Sequence, residues 1–277
     1  MKKHQICLFA LLATNIACAD SLGDPYSVEG NAQERFTELN TWDWQEVFFD
    51  TGTDDWREHW SLDGQKAEVS NSGEGMNFRA GPVPRENASH AVLWTKESFS
   101  GDIRIEYEYT RTDEATQYVN ILYIQATGSG EKGFPKDISE WADKRTVPAM
   151  SVYWGNMHTY HISYAAYGRK PVTDDYDYIR ARRYRPDLLP KKNGPIFEPD
   201  TCERTGLFAP GVPHRISVIK QGNELFMMIR NPEKEYLCHW VNTDQPLVSE
   251  GRVGLRHMYT RSARYRDFTV SIHKQEN

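Results

Sequence analysis

The strongest constraint on the fold is a succession of short runs rich in β-branched and aromatic residues, separated by turn residues. HAVLW (90–94), DIRIEYEY (102–109), YVNILYIQA (118–126) and YHISYAAY (160–167) are followed by HRISVIK (214–220) and LFMMIR (225–230). GRVGLRHM (251–258) and RYRDFTVSIH (264–273) close the series. Ser100-Gly101, Gly128-Ser129-Gly130 and Gln221-Gly222-Asn223 punctuate it, and the last of these predicts a hairpin. Helix signals are confined to 137–144 and to a turn near 32–40. Many short strands with turns between them predict an all-β fold, an antiparallel β-sandwich of the jelly-roll kind.

The N-terminus reads as an export leader. Lys2 and Lys3 precede an apolar run from Ile6 to Ala13, and Ala17-Cys18-Ala19 offers a small-x-small cleavage site before Asp20. The apolar run is too short to span a bilayer. Lipidation at Cys18 is the weaker alternative, because Asn15 suits a lipobox poorly. The expected organisation is a signal peptide over 1–19 and one jelly-roll domain over 20–277, secreted or periplasmic. Cys202 and Cys238 are the cysteines outside the leader, and an oxidising compartment makes a disulfide between them an expectation, with two buried thiols as the alternative.

The formal net charge is −6, and losing Lys2 and Lys3 makes the chain more acidic still. That disfavours nonspecific nucleic-acid binding. No later segment is apolar enough to cross a membrane. Basic residues are nevertheless clustered, with eight between Arg169 and Lys192 and five arginines with no acid between Arg252 and Arg266. Residues 168–211 are rich in proline and charge, with apolar anchors such as Leu188, Leu207 and Phe208. This segment reads as a long ordered loop covering one edge of a groove.

The chemistry concentrates in residues 153–185, which hold seven tyrosines, one tryptophan, two histidines and six basic residues. Aromatic faces stack on sugar rings, arginine forks bind carboxylate or sulfate, and histidine and tyrosine move protons when tuned. Together they point to an acidic saccharide. In a strand, His161 and Ser163 share one face, while His158, Tyr160, Ile162 and Tyr164 share the other. Ile162 marks the tyrosine face as partly core, which favours His161 for the groove. β-Elimination at a uronate needs a group that neutralises the carboxylate, a base for the α-proton and an acid for the leaving oxygen. Arg182, Arg183, Arg256 and Asn120 are candidate neutralisers, His161 or His158 the base, and Tyr160, Tyr164 or His158 the acid. Strand alternation sets Tyr164 and His158 against His161 unless a bulge intervenes. Trp154 and Asn156 are candidate substrate contacts. Trp56, Trp60 and Trp94 read first as core aromatics. Adjacent carboxylate pairs such as Asp54-Asp55 do not form the separated pair that a glycosidase requires. No nucleophile elbow, phosphate loop or dinucleotide fingerprint is present.

The chain resembles the YesU-like family of concanavalin-like jelly-roll proteins. The resemblance rests on DDW (54–56), HAVLWTKESFSGDI (90–103), IQATG (124–128), HISY (161–164), GRVGLRHM and RYRDFTV, in that order over almost the whole mature chain. It implies a β-sandwich with a concave groove and a setting in the breakdown of uronate-rich polysaccharides. The matched positions carry His90, Trp94, His161, Ser163 and Arg256 over as candidate groove residues. The chain departs from that family after Tyr164, where it has Ala165-Ala166-Tyr167 and later Arg180-Ala181-Arg182-Arg183.

The expected function is therefore a secreted carbon–oxygen lyase acting by β-elimination or dehydration on an acidic poly- or oligosaccharide such as ulvan or a pectin-type uronate polymer. A non-catalytic carbohydrate-binding module and a glycoside hydrolase are the alternatives. No cofactor is expected; a structural calcium is an option that jelly rolls allow.

Overall fold

The computed structural model describes residues 30–167, 177–188 and 199–273. The expected leader lies outside them. The chain runs through α1 (Gly30–Asn40), β1 (Trp44–Asp50), β2 (Trp60–Asp63), β3 (Glu68–Ser72) and β4 (Gly75–Arg79). Next come β5 (Ala91–Thr95), β6 (Phe99–Ser100), β7 (Ile103–Arg111) and β8 (Tyr118–Gly128). A 3-10 segment (Ile138–Arg145) and α2 (Met150–Asn156) precede β9 (Met157–Tyr167), β10 (Asp177–Tyr184) and β11 (Cys202–Glu203). The rest is β12 (Pro213–Gln221), β13 (Glu224–Arg230), β14 (Glu235–Val241), β15 (Glu250–His257) and β16 (Ser262–His273).

These strands form two antiparallel sheets. One has the order β14-β13-β12-β7-β16-β4-β3, with β1 also on β16. The other has the order β11-β10-β9-β8-β15-β5-β2, with β6 also on β15. Period-2 alternation sends Leu93, Leu122, Ile162 and Leu255 of the second sheet against Ile105, Val218, Met227 and Val270 of the first. This apolar interlayer is the sandwich core, and burial of such side chains is the main stabilising term. The hairpin at Gly222-Asn223 joins β12 to β13, with Gln221 opposite Glu224. Gly222 there adopts φ +53°, which glycine tolerates without a Cβ clash.

The opposite faces of both sheets are also covered. On the first sheet, Phe36 and Leu39 of α1 pack on Ile219, Phe226 and Met228. The expected turn near 32–40 is thus an amphipathic helix. On the second sheet, Ile138, Trp141 and Tyr153 pack on Val92, Trp94, Ile121 and Tyr123. That second cap roofs half of what would otherwise be an open concave face.

The expected loop over 168–211 needs correction. Within it, β10 pairs with β9 and β11 pairs with β10, extending the second sheet. The sequence DYIRARRY alternates cleanly: Ile179 and Ala181 enter the core, while Tyr178, Arg180, Arg182 and Tyr184 face outward. Surrounding proline and charge mask this signal. Cys202 and Cys238 are free thiols whose side chains interact, so the expected disulfide is not formed in this structure.

Candidate functional site

The register of the second sheet lays its outward residues in two rows. One row reads Val92, Arg256, Ile121, Ser163, Arg180 across β5, β15, β8, β9 and β10. The next reads Trp94, Gly254, Tyr123, His161, Arg182. The cap buries the β5 and β15 ends of both rows completely. The β9 and β10 ends open into a cavity of about 590 Å³. Met150 and Trp154 of α2 line it, together with Tyr178, Tyr184 and, at the far end, Arg85, Gln117, Tyr118 and Tyr259.

His161 sits in the floor of this cavity. Its Nδ1 is 2.6 Å from the Tyr184 hydroxyl and its Nε2 is 2.6 Å from Ser163 Oγ. Burial first, then the positive charges of Arg180, Arg182 and Arg256, hold its pKa well below the usual imidazole value. The ring is therefore neutral at physiological pH, donating to one of the two hydroxyls and accepting from the other. Burial likewise raises the Tyr184 phenol well above its ordinary value, so it stays protonated. Arg182 donates to the Ala181 carbonyl, and the Arg180 guanidinium lies 4.8 Å from the Tyr178 ring centroid. No carboxylate is among the described residues that line the cavity.

The floor is braced from beneath the cap. Asp63 Oδ2 accepts from Arg145 Nε at 2.6 Å, Trp94 Nε1 at 2.7 Å and the Tyr153 hydroxyl at 3.0 Å. Burial dominates at Asp63 and raises its pKa, while those three donors oppose the rise. Trp94, Tyr123 and Tyr153 form a stack, with Trp94 to Tyr123 at 5.2 Å and 18°. Arg256 lies 4.5 Å from the Tyr153 centroid and donates to the Pro148 carbonyl at 2.6 Å. Gly254 makes the stack fit: a Cβ there would sit 2.5 Å from the Trp94 ring.

Among the expected site residues, His161, Ser163, Arg182 and Trp154 are brought together at the cavity. Others are not. Strand pairing is unbroken from Tyr160 to Tyr164, so alternation holds and Tyr164 points into the sandwich core, 3.2 Å from the Tyr265 hydroxyl. Tyr160 and Asn120 also face the core; Asn120 donates to the Tyr109 hydroxyl. His158 lies outside the cavity, half-buried, and feels Arg183, Asp187 and Arg185. Arg183 projects from the opposite face of β10 and donates to the Tyr184 carbonyl. Trp94 and Arg256 are fully buried beneath the cap, and His90 is buried behind Tyr259, with ring centroids 4.6 Å apart. Asn156 closes α2 by donating to the Val152 carbonyl.

The arginine cluster after Arg252 is mostly structural. Arg252 pairs with Asp137, Arg261 with Asp113, and Arg264 with Glu74. The reading of the sequence missed Tyr184 and Arg85. Alternation within DYIRARRY would have found Tyr184. Arg85 carries no local signal; it is exposed on the β4–β5 turn at φ +64°. Among the described residues no cluster of three or more histidine, cysteine or acidic side chains could hold a metal ion. No described helix is long and apolar enough to cross a membrane.

Residues 51–270 match the family described as "Domain of unknown function (DUF1961)". The chain belongs to the DUF1961 family. Its relative "Uncharacterized protein YesU" of Bacillus subtilis (strain 168) is 24% identical over 198 residues, covering 67% of this chain and 78% of that one. A Bacillus subtilis protein of unknown function with a galectin-like fold superposes with a TM-score of 0.58 at 18% identity, covering 83% of this chain and 98% of that one. The VIP36 exoplasmic/lumenal domain, bound to Ca2+ and Man3GlcNAc, gives 0.53 at 10% identity, covering 83% and 92%. Lectin UEA-II in complex with galactose gives 0.51 at 10% identity, covering 81% and 97%. This DUF1961 protein thus has a concanavalin- and galectin-like lectin fold.

Proposed function

We propose that this DUF1961 protein binds an acidic saccharide in the cavity over β8, β9 and β10. One observation carries the reading: Arg85 and Arg180 line a cavity that has no carboxylate among its described lining residues, and Arg182 adds a third guanidinium to its wall. Guanidinium forks match carboxylate or sulfate in geometry and charge, and Trp154 and Tyr178 offer faces for sugar rings. The sugar-bound lectins of the same fold support a saccharide as the ligand class. The leader-like residues 1–19 support a ligand met in the periplasm or the medium.

The test is a titration of the mature protein with polygalacturonate, ulvan and fully methyl-esterified pectin. Binding to the acidic polymers and not to the ester is the expected result. Arg180→Gln removes one charge-assisted contact and is expected to weaken binding by roughly 10- to 100-fold, since such a bond contributes about 1.5–3 kcal/mol. Equal affinity for acid and ester would overturn the reading.

Elimination is the second reading, favoured by the neutral His161 imidazole between two hydroxyls and beside the arginines. The arginines would neutralise a uronate carboxylate and His161 would take the α-proton. The carbon–oxygen bond would break as Tyr184, rather than Tyr164, gave its proton to the leaving oxygen. Mass spectrometry of the same mixtures separates the two. An unsaturated product or loss of water establishes elimination, and unchanged masses with binding leave a lectin. Hydrolysis has the least support, since it calls for two opposed carboxyls.

A further inference from the structure

We infer that the cavity takes the end of a saccharide chain rather than its middle. The inference rests on the proposed function and adds the mode of recognition. In an open concave sheet a sugar chain can cross strand after strand. Here the outward rows are sealed beyond β8: Val92 and Trp94 of β5 and Gly254 and Arg256 of β15 are buried, as is Tyr123 of β8, while its row neighbour Ile121 still lines the cavity. The seal is the segment 138–156, held down by the buried pair Arg145–Asp63.

The second closure lies along the strands. Tyr184 is buried at one end of the cavity, its ring 5.9 Å from that of Tyr123. Beyond it α2 packs against the turn Pro186–Leu188 that follows β10, so a side wall and an end wall meet. The opposite end is where the exposed Arg85 and the half-exposed Gln117 and Tyr118 form a mouth. From Tyr178 to Tyr184 the strand covers about 20 Å at roughly 3.3 Å per residue. Polar groups are spread along that length, with Arg182 and the neutral His161 deep, Arg180 and Ser163 midway, and Arg85 at the mouth. A dead-end pocket whose guanidinium groups run from the mouth inward, Arg85 and then Arg180 ahead of Arg182, selects a terminal acidic sugar, leaving the rest of the chain to leave past Arg85.

The test is stoichiometry against chain length. Oligogalacturonates and glucuronate-bearing oligosaccharides cut from ulvan are each separated into short and long fractions and titrated calorimetrically into the mature protein. The expected result is one protein per oligosaccharide at every length, with affinity per chain unchanged by length beyond what the cavity holds. A number of bound proteins that grows with chain length overturns chain-end recognition while leaving acidic-saccharide binding intact. Absence of binding at all lengths, in both series, overturns both.

Discussion

His161 and Tyr184 meet diagonally across β9 and β10, with Nδ1 2.6 Å from the phenol oxygen. Arg182, not Tyr184, is the residue directly opposite His161. Diagonal neighbours in a sheet are within reach of aromatic side chains, so the pair needs no distortion of the strands. It fixes the imidazole plane while Ser163 holds the other nitrogen.

Tyr184→Phe and Tyr164→Phe separate the cavity from the core. The first leaves a buried ring nitrogen without its partner, destabilises the protein by about 1–3 kcal/mol and weakens saccharide binding. The second removes hydroxyl contacts to Tyr107 and Tyr265 inside the core and costs about 0.5–1.5 kcal/mol, with binding unchanged. Denaturant titration and calorimetry read both. Equal loss of binding in the two variants would contradict the placement of Tyr164.

Acid should destabilise the protein before its carboxylates titrate. Burial lowers the pKa of His90 to about 3, of His257 to about 3 and of His214 to about 4, and lowers that of His161 as well. Below pH ~6.5 the unfolded chain protonates these rings while the folded chain does not. The unfolded state then binds more protons, so stability falls as pH drops, by up to about 1.4 kcal/mol per pH unit for each histidine. Urea melts at pH 7, 6 and 5 test this. A stability unchanged between pH 7 and 5 would show that the rings are not held neutral.

The cap depends on a buried ion pair. Asp63→Ala strands Arg145, which is 2% exposed, and is expected to cost about 3–5 kcal/mol. Lys136→Ala removes an exposed pair with Glu250 and should cost less than about 1 kcal/mol. Thermal unfolding of the two variants provides the comparison, and a shift for Asp63→Ala as small as that for Lys136→Ala would be evidence against the brace.

Gly254→Ala tests the aromatic floor. The added Cβ meets the Trp94 ring at 2.5 Å, in a packed layer with nowhere to move. Overpacking of this kind costs about 1–3 kcal/mol and should displace Trp94 from Tyr123. Near-ultraviolet circular dichroism and a melt measure both effects.

The sequence by itself determined the sheet-forming segments, because alternation and turn residues are local signals. HAVLW, YVNILYIQA, YHISYAAY and GRVGLRHM all fall within or overlap strands of the second sheet. It also determined which way His161 and Ser163 point relative to Ile162 and Tyr164, since unbroken pleating leaves no other arrangement. Tertiary structure alone decided which outward residues meet a ligand. Trp94, Arg256 and His161 lie on one sheet face, but a cap over 138–156 buries the first two and leaves the third at the cavity. That outcome depends on Asp63 meeting Arg145 and Tyr153, which are 82 and 90 residues away in the chain. Pairings at such separation leave no periodic trace in a sequence, and so the cavity, its closed end and the arginine at its mouth became visible only in the folded molecule.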